Sequence, residues 1–362
     1  MTPSPPPPPG LREAVPLAPL TTLRLGGAAR WYLHCTSEEA VRQGLAWARE
    51  SGIRTVILGG GSNVVVPDEG LDALVLHVGL GPLDFVPVDG KVEIRAGAGI
   101  EWEELVREAV ARGLAGVECL SGIPGTVGGT PIQNVGAYGQ EVSETLTAVR
   151  AIDRASLSSV EFSGRECGFA YRASRFKGAD RDRFVVTEVR FLLSPGGAPA
   201  LRYPELARAV VARGDIESLD PGQALARVRE AVLELRRSKS MVLDEADPNT
   251  RSAGSFFLNP VLSAERFEDL ERRWRQAGSD GAIPTFPADG GIKVPAAWLV
   301  EQAGFTRGHR RRGAMVSTRH TLALVNTGGT TNDLLDLAGE IQGAVEARFG
   351  VRLEREPVVL TR

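Results

Sequence analysis

Charge of one sign is scarce in this 362-residue sequence: 42 lysines and arginines against 45 aspartates and glutamates leave a net charge of −3. That balance offers no electrostatic footprint for nucleic acid as a principal partner. Cysteine is scarcer still. Cys35, Cys119 and Cys167 are widely spaced and form neither a CxxC pair nor a Cys/His ligand pattern. Reduced core thiols in a cytoplasmic protein are therefore expected, and no metal site is. No run of about 18 apolar residues occurs, so no spanning helix is expected. The opening MTPSPPPPPG lacks a basic and an apolar signal region, and residues 1–20 read as a flexible, polyproline II-like tail. A GK[ST] phosphate loop, a GxGxxG fingerprint and a GxSxG elbow are also missing. Their absence argues against P-loop, Rossmann and hydrolase readings.

Glycine is what the chain has in one place. Ser121–Gly139, SGIPGTVGGTPIQNVGAYG, holds six glycines in nineteen residues, interleaved with Ile123, Val127, Ile132, Val135 and Tyr138. Such a segment is buried yet turns freely, and it lets a flat or phosphorylated cofactor approach the main chain. A tight buried turn is the plainer alternative. Upstream, TVILGGGSNVVV (55–66) runs strand, Gly59-Gly60-Gly61-Ser62-Asn63, strand. Its consecutive backbone N–H groups form a nest suited to a pyrophosphate.

Periodicity places the remaining elements. Thr36 and Glu39 have capping-box spacing, with Val41, Leu45 and Ala48 on one face of a helix ending near Gly52. Strands are expected at 73–78, 91–99, 146–153 and 183–193, and helices at 101–112 and 221–237. A composition break near Ser238 marks a domain boundary. Beyond it come helices at 264–276, 295–303 and 331–349, with strands at 320–326 and 351–360. The class is α+β, in two parts: a cofactor domain over 21–240 and a substrate domain over 241–362. In GSFFLNP (254–260) a serine stands between glycine and two phenylalanines, a water-poor place for a proton donor. A core strand with an incidental hydroxyl is the plainer alternative.

Five motifs then occur in order: GGGSN (59–63), SGIPGTVGGTPIQNVGAYG (121–139), YRASRFK (171–177), GSFFLNP (254–260) and LEREP (353–357). Together they resemble the UDP-N-acetylenolpyruvoylglucosamine reductases, over nearly everything from Thr21 to Val359. The resemblance implies a vanillyl-alcohol-oxidase-type (PCMH) domain holding FAD non-covalently and a C-terminal α+β substrate domain whose final strand returns to the active site. It also implies hydride transfer from NADPH through FAD to the enolpyruvyl group of a UDP-sugar in peptidoglycan synthesis. In that setting the flavin carries the hydride, and the protein supplies positioning, charge and one proton.

Roles follow from the resemblance, residue by residue. Arg172 is implied against the substrate carboxylate, where a guanidinium binds bidentately. Ser255 is implied as the proton donor and Glu356 as the acid steadying the developing enolate. Glu354, two residues earlier in the Glu354-Arg355-Glu356-Pro357 run, is the other candidate for that acid. The cofactor set is Gly59, Gly60, Gly61, Ser62, Asn63, Ser121, Ile123, Pro124, Gly125, Gly128, Gly129, Asn134 and Ala137. Tyr203, after a Gly/Pro break, resembles a lid tyrosine over the UDP diphosphate. Lys239, Asn259 and Arg236 are implied beside it. Lys293 sits in a family motif and could equally be a surface lysine. The basic GHRRRGAM (308–315) reads as a solvated face rather than an NADPH contact. A monomer is expected. An oxidase of related fold and a nucleotide-sugar binding protein without catalysis are the alternatives; neither glycine loop contains a His or Cys that could tether a flavin.

Overall fold

The structure is a computed structural model that describes residues 6–362 apart from Glu217, Asp280 and Asp289. It divides into two compact units. The first comprises the segments through Val15, Ala29–Gly61 and Asp72–Val242; the second comprises Pro16–Ala28, Ser62–Leu71 and Leu243–Arg362. The sequence expectation placed a single cut near 240. Two earlier segments instead belong to the second unit, because Leu23, Leu25 and Val65 pack into its core. The expected tail ran to residue 20, but Arg12–Pro16 is a strand and Ala18–Leu20 a 3-10 turn. Residues 1–5 of that tail lie outside the described residues.

The first unit holds a four-stranded sheet ordered Arg12–Pro16, Ala28–Cys35, Leu71–Val78, Thr55–Leu58, the last two strands parallel. Helix α1, Glu38–Glu50, starts at Ser37, whose side chain accepts the Ala40 N–H at 3.1 Å. The cap is thus one residue beyond the expected Thr36. Both hydroxyls are plausible caps by type, and the register of Val41, Leu45 and Ala48 toward the core decides between them. A larger antiparallel sheet runs Ser159–Ser163, Leu146–Asp153, Phe184–Pro195, Lys91–Gly97, Leu83–Val88. Helix α2, Trp102–Ala111, buries Trp102, Leu105, Val106, Ala109 and Val110, the i, i+3, i+4 face anticipated from sequence. Helices α3, Pro204–Val211, and α4, Pro221–Ser238, pack through Leu206 and Val210 against Val228, Ala231 and Val232.

The second unit surrounds a sheet ordered Ser252–Ser255, Ala323–Asn326, Ala314–Val316, Arg310–Arg311. Helix α7, Thr331–Phe349, packs on its strands Ala314–Val316 and Ala323–Asn326, and helices α5, Ala264–Gln276, and α6, Ala296–Gln302, pack on α7. Thr330 and Asp333 form a reciprocal capping box at the start of α7, and Gly350 ends it with φ 68°, a left-handed conformation that glycine adopts without strain. The strand expected at 320–326 is shortened to Ala323–Asn326, because His320 closes a turn by accepting the Ala323 N–H at 3.1 Å. That expected at 351–360 is reduced to Val358–Val359, paired in parallel with Val64–Val65.

Candidate active site

The strand Thr55–Leu58 runs directly into Gly59-Gly60-Gly61. A Cβ on Gly60 would stand 2.7 Å from Gly125 Cα, and one on Gly59 2.8 Å from Thr126 Oγ1. The two glycine loops therefore lie main chain against main chain, which only glycine permits. The second loop is pinned to the scaffold by Trp102 N–H to Gly125 O (3.0 Å), Val127 N–H to Ile100 O (2.8 Å) and Gly128 N–H to Ala98 O (2.9 Å). A Cβ on Gly128 would collide with Ala98 at 2.6 Å, whereas one on Gly129 would meet nothing within 4 Å. The loops are closed toward the protein and open on the other side. That cradle fits a flat, phosphorylated cofactor such as FAD lying close against a glycine main chain.

Several residues assigned to the cofactor from sequence hold the loop instead with their side chains. Ser121 is buried and its hydroxyl donates to Glu118 O at 2.6 Å. Asn134, at φ 48°, donates from Nδ2 to Glu141 (2.7 Å) and Ala170 O (3.2 Å) and accepts the Ser143 N–H (3.2 Å). Ala137 lies in a two-stranded ribbon with Gln140, and Ile123 packs half-buried on the core. Arg172 is fastened to this same loop. Its Nη2 donates to Gly136 O at 2.6 Å and its Nη1 to Asn134 O at 3.4 Å, with the guanidinium 5.4 Å from the Tyr171 ring.

A second cluster in the first unit gathers around Tyr138. Tyr203 stands at the start of α3, is 42% exposed, and meets the Tyr138 ring edge-on at 5.5 Å. Lys239, the residue that ends α4, lies with Nζ 5.8 Å from the same ring centroid. Its ammonium donates to both carboxylate oxygens of Glu205, at 2.8 and 3.0 Å. Arg236 donates to Met241 O at 2.8 Å, and its buried Nε has no partner among the described residues. Burial lowers the Arg236 pKa, with Tyr138 and Glu103 acting against that shift. Burial also pushes the Tyr138 phenol up to about 12. Tyr203, Lys239 and Arg236 thus gather around Tyr138.

Asn259 belongs to the second unit, where its Oδ1 accepts the Ala296 N–H at 2.8 Å and caps α6. In the same unit Ser255 ends its strand opposite Ala323, just after Gly254 at φ 71°. The chain then pairs with the C-terminal segment: Phe257 bridges Arg355, Leu258 N–H donates to Glu354 O (2.9 Å), and Glu356 N–H donates to Phe256 O (2.9 Å). This antiparallel register sets Glu356 opposite Phe256 and Pro357 opposite Ser255, while Glu354 is opposite Leu258 and exposed. Asn63 joins them, accepting the Val358 N–H at 2.9 Å and donating to Glu356 O at 3.5 Å. Phe256 and Phe257 are fully buried, but Ser255 is half-buried rather than dry.

Lys293 lies between Val261 and Phe286 in a small three-stranded sheet. In the basic stretch, Arg311 pairs with Glu340 and Arg312 with Asp336 of α7, consistent with a solvated face. Three residues were not singled out from the sequence. Glu103 accepts the Gly122 N–H and pairs with Arg229, tying α2 and α4 to the second loop. Tyr138 centres the Lys239 cluster, and Glu205 faces the ammonium. Tyr138 was visible within the glycine segment; the carboxylates act across 19 to 126 positions, which no local pattern encodes.

Residues 29–156 match the FAD binding domain family, and residues 247–360 match the UDP-N-acetylenolpyruvoylglucosamine reductase, C-terminal domain family. The chain is 49% identical over 352 residues to the UDP-N-acetylenolpyruvoylglucosamine reductase of Thermobifida fusca (strain YX), covering 96% of this chain and 97% of that one. It is 45% identical to the enzyme of the same name from Mycobacterium tuberculosis (strain ATCC 25177 / H37Ra), covering 97% and 95%. Among solved structures it is similar to the UDP-N-acetylenolpyruvylglucosamine reductase of Thermus caldophilus, with TM-score 0.65, 26% identity, and 97% and 100% of the two chains covered. The chain belongs to the UDP-N-acetylenolpyruvoylglucosamine reductase family.

Proposed function

We propose that this chain reduces the enolpyruvyl group of UDP-N-acetylglucosamine enolpyruvate to UDP-N-acetylmuramate for peptidoglycan, using NADPH and non-covalent FAD. The observation that carries the reading is the pair of glycine loops packed main chain to main chain, with Arg172 fastened to one of them. Bound FAD supplies the hydride relay between NADPH and the enolpyruvyl double bond. The first loop, Gly59 to Asn63, would hold it through main-chain N–H groups, whereas in the second loop the Gly128 and Gly129 N–H groups are committed to Ala98 O and Thr126 O and the glycines would offer a surface free of side chains.

The chain's own residues supply the rest. The two carbonyl contacts of Arg172 fix its guanidinium in one orientation for the substrate carboxylate. Ser255 delivers a proton to C2, and Glu356, on the segment paired with the Ser255 strand's continuation, steadies the charge that develops there. Positioned proton transfer contributes roughly 10²–10⁴-fold, and a preorganised partner for developing charge about 10²–10³-fold. Lys239, Arg236, Tyr203 and Asn259 are assigned to the diphosphate. The same reading makes the protein a cytoplasmic monomer that takes a UDP-sugar and NADPH. Among the described residues, no helix is long and apolar enough to cross a membrane.

The test is a colour experiment on the purified protein. A yellow protein bleached by NADPH under anaerobic conditions and recoloured by the UDP-enolpyruvyl sugar is the expected result. Recolouring by air at a comparable rate would indicate an oxidase, and a colourless protein that takes up no FAD would contradict the reading.

A further inference from the structure

We propose that Glu205 is a built-in counter-ion that competes with the substrate diphosphate for Lys239 and so sets the affinity of the site for anions. This rests on the assignment of Lys239 to the diphosphate. Both Glu205 oxygens lie within 3.0 Å of the Lys239 ammonium, and the two side chains are only 36% and 31% exposed. An ammonium is a compact point charge. A diphosphate approaching it therefore meets a carboxylate already in place and must displace it or share the charge against repulsion.

Helix placement makes the exchange inexpensive. Glu205 lies in the first turn of α3, where the positive end of the helix dipole stabilises a carboxylate released from the ion pair. Lys239 ends α4, where the opposite end of a dipole stabilises a cation before and after the exchange. The body of α3 stays seated on α4 through Leu206 and Val210. Its first turn carries both Glu205 and Tyr203, so a shift of the carboxylate acts on the tyrosine that meets Tyr138. A weakly charged anion gains too little from Lys239 to evict Glu205, whereas a diphosphate carries enough charge to do so. The carboxylate thereby acts as a threshold on anion binding.

The experiment is calorimetric titration of the holoenzyme with UDP for the parent, Glu205→Gln, Lys239→Met and the double variant, each checked for a parental flavin spectrum. The inference expects Glu205→Gln to lower the UDP Kd by about 2–10-fold, and to have no effect in the Lys239→Met background. Glu205→Ala should shift affinity in the same direction, independently of any amide contact. A UDP Kd that is unchanged or raised by Glu205→Gln overturns the inference, a rise meaning that Glu205 holds Lys239 in position for the ligand. A Lys239→Met variant that binds UDP as well as the parent removes the diphosphate assignment itself, a distinct failure from the other.

Discussion

In the first unit the cofactor loops are shaped by main chain; in the second the candidate side chains Ser255 and Glu356 sit on paired segments. The loops at 59–61 and 121–139 work by lacking side chains, and a Cβ at Gly60 or Gly128 would run into protein at 2.7 and 2.6 Å. The segments that carry Ser255 and Glu356 are about a hundred residues apart in sequence and are paired by the bond from Glu356 N–H to Phe256 O. A surface made of backbone writes itself into composition. A constellation made of side chains does not, because its members are placed by pairings that any sequence with the right strands could make.

That contrast can be broken by substitution. The largest expected effect is Ser255→Ala, which should slow reoxidation of reduced flavin by the UDP-enolpyruvyl sugar about 10²–10⁴-fold while leaving bleaching by NADPH nearly intact, as followed by rapid-mixing absorbance. Equal slowing of both half-reactions would make Ser255 a structural residue. Next, Gly60→Val should weaken FAD binding about tenfold or more, because main chain must move to admit the side chain. Gly129→Ala sharpens this: no protein atom opposes its Cβ, so the apoprotein should keep its stability to within about 0.5 kcal/mol. The same variant should still lose FAD affinity in a fluorescence titration, if the open side of the loop faces the cofactor.

The third expectation concerns pH. Burial pushes Cys35 up to about 12 and Cys167 to about 11, and it raises Cys119 as well; all three thiols belong to the first unit. The folded state holds these protons more tightly than the unfolded chain. The stability they lend is complete below about pH 9 and falls as pH rises toward 11–12. Pulse proteolysis with fragment identification at pH 8 and 10.5 should show the first unit opening at lower denaturant at the higher pH. The second unit, which has no cysteine, should shift less. The smallest effect is Asn259→Ala, which removes the α6 cap and should cost the second unit about 1 kcal/mol in denaturant unfolding.

Helices with continuous apolar faces were legible from sequence: α5 and α7 begin and end where periodicity and the Gly350 stop signal place them. The strand Leu83–Val88 was not, because Pro87 and a half-exposed face hide its alternation. Arg12–Pro16 was lost beneath the proline-rich start. Helix α3 was hidden because a Gly/Pro break precedes it and its buried face is only Leu206 and Val210. The expected final strand fails in its middle because Pro357 has no N–H for a ladder and Leu353 turns into the core. In the site, the glycine loops could be read from composition, and the resemblance singled out Arg172 and Glu356; the attachment of Arg172 to Gly136 O, the pairing of the Glu356 segment with Phe256 and the Glu205–Lys239 pair could not be read. Each depends on partners far along the chain.

The most direct test of the whole account is a crystal structure of the FAD-loaded protein with the UDP-enolpyruvyl sugar bound. The account predicts Arg172 on the substrate carboxylate, and Ser255 and Glu356 each within hydrogen-bond reach of the reacting carbons' substituents, on one face of the flavin. An enolpyruvyl group bound away from any one of these three side chains, or a flavin seated elsewhere than against the two glycine loops, would contradict it.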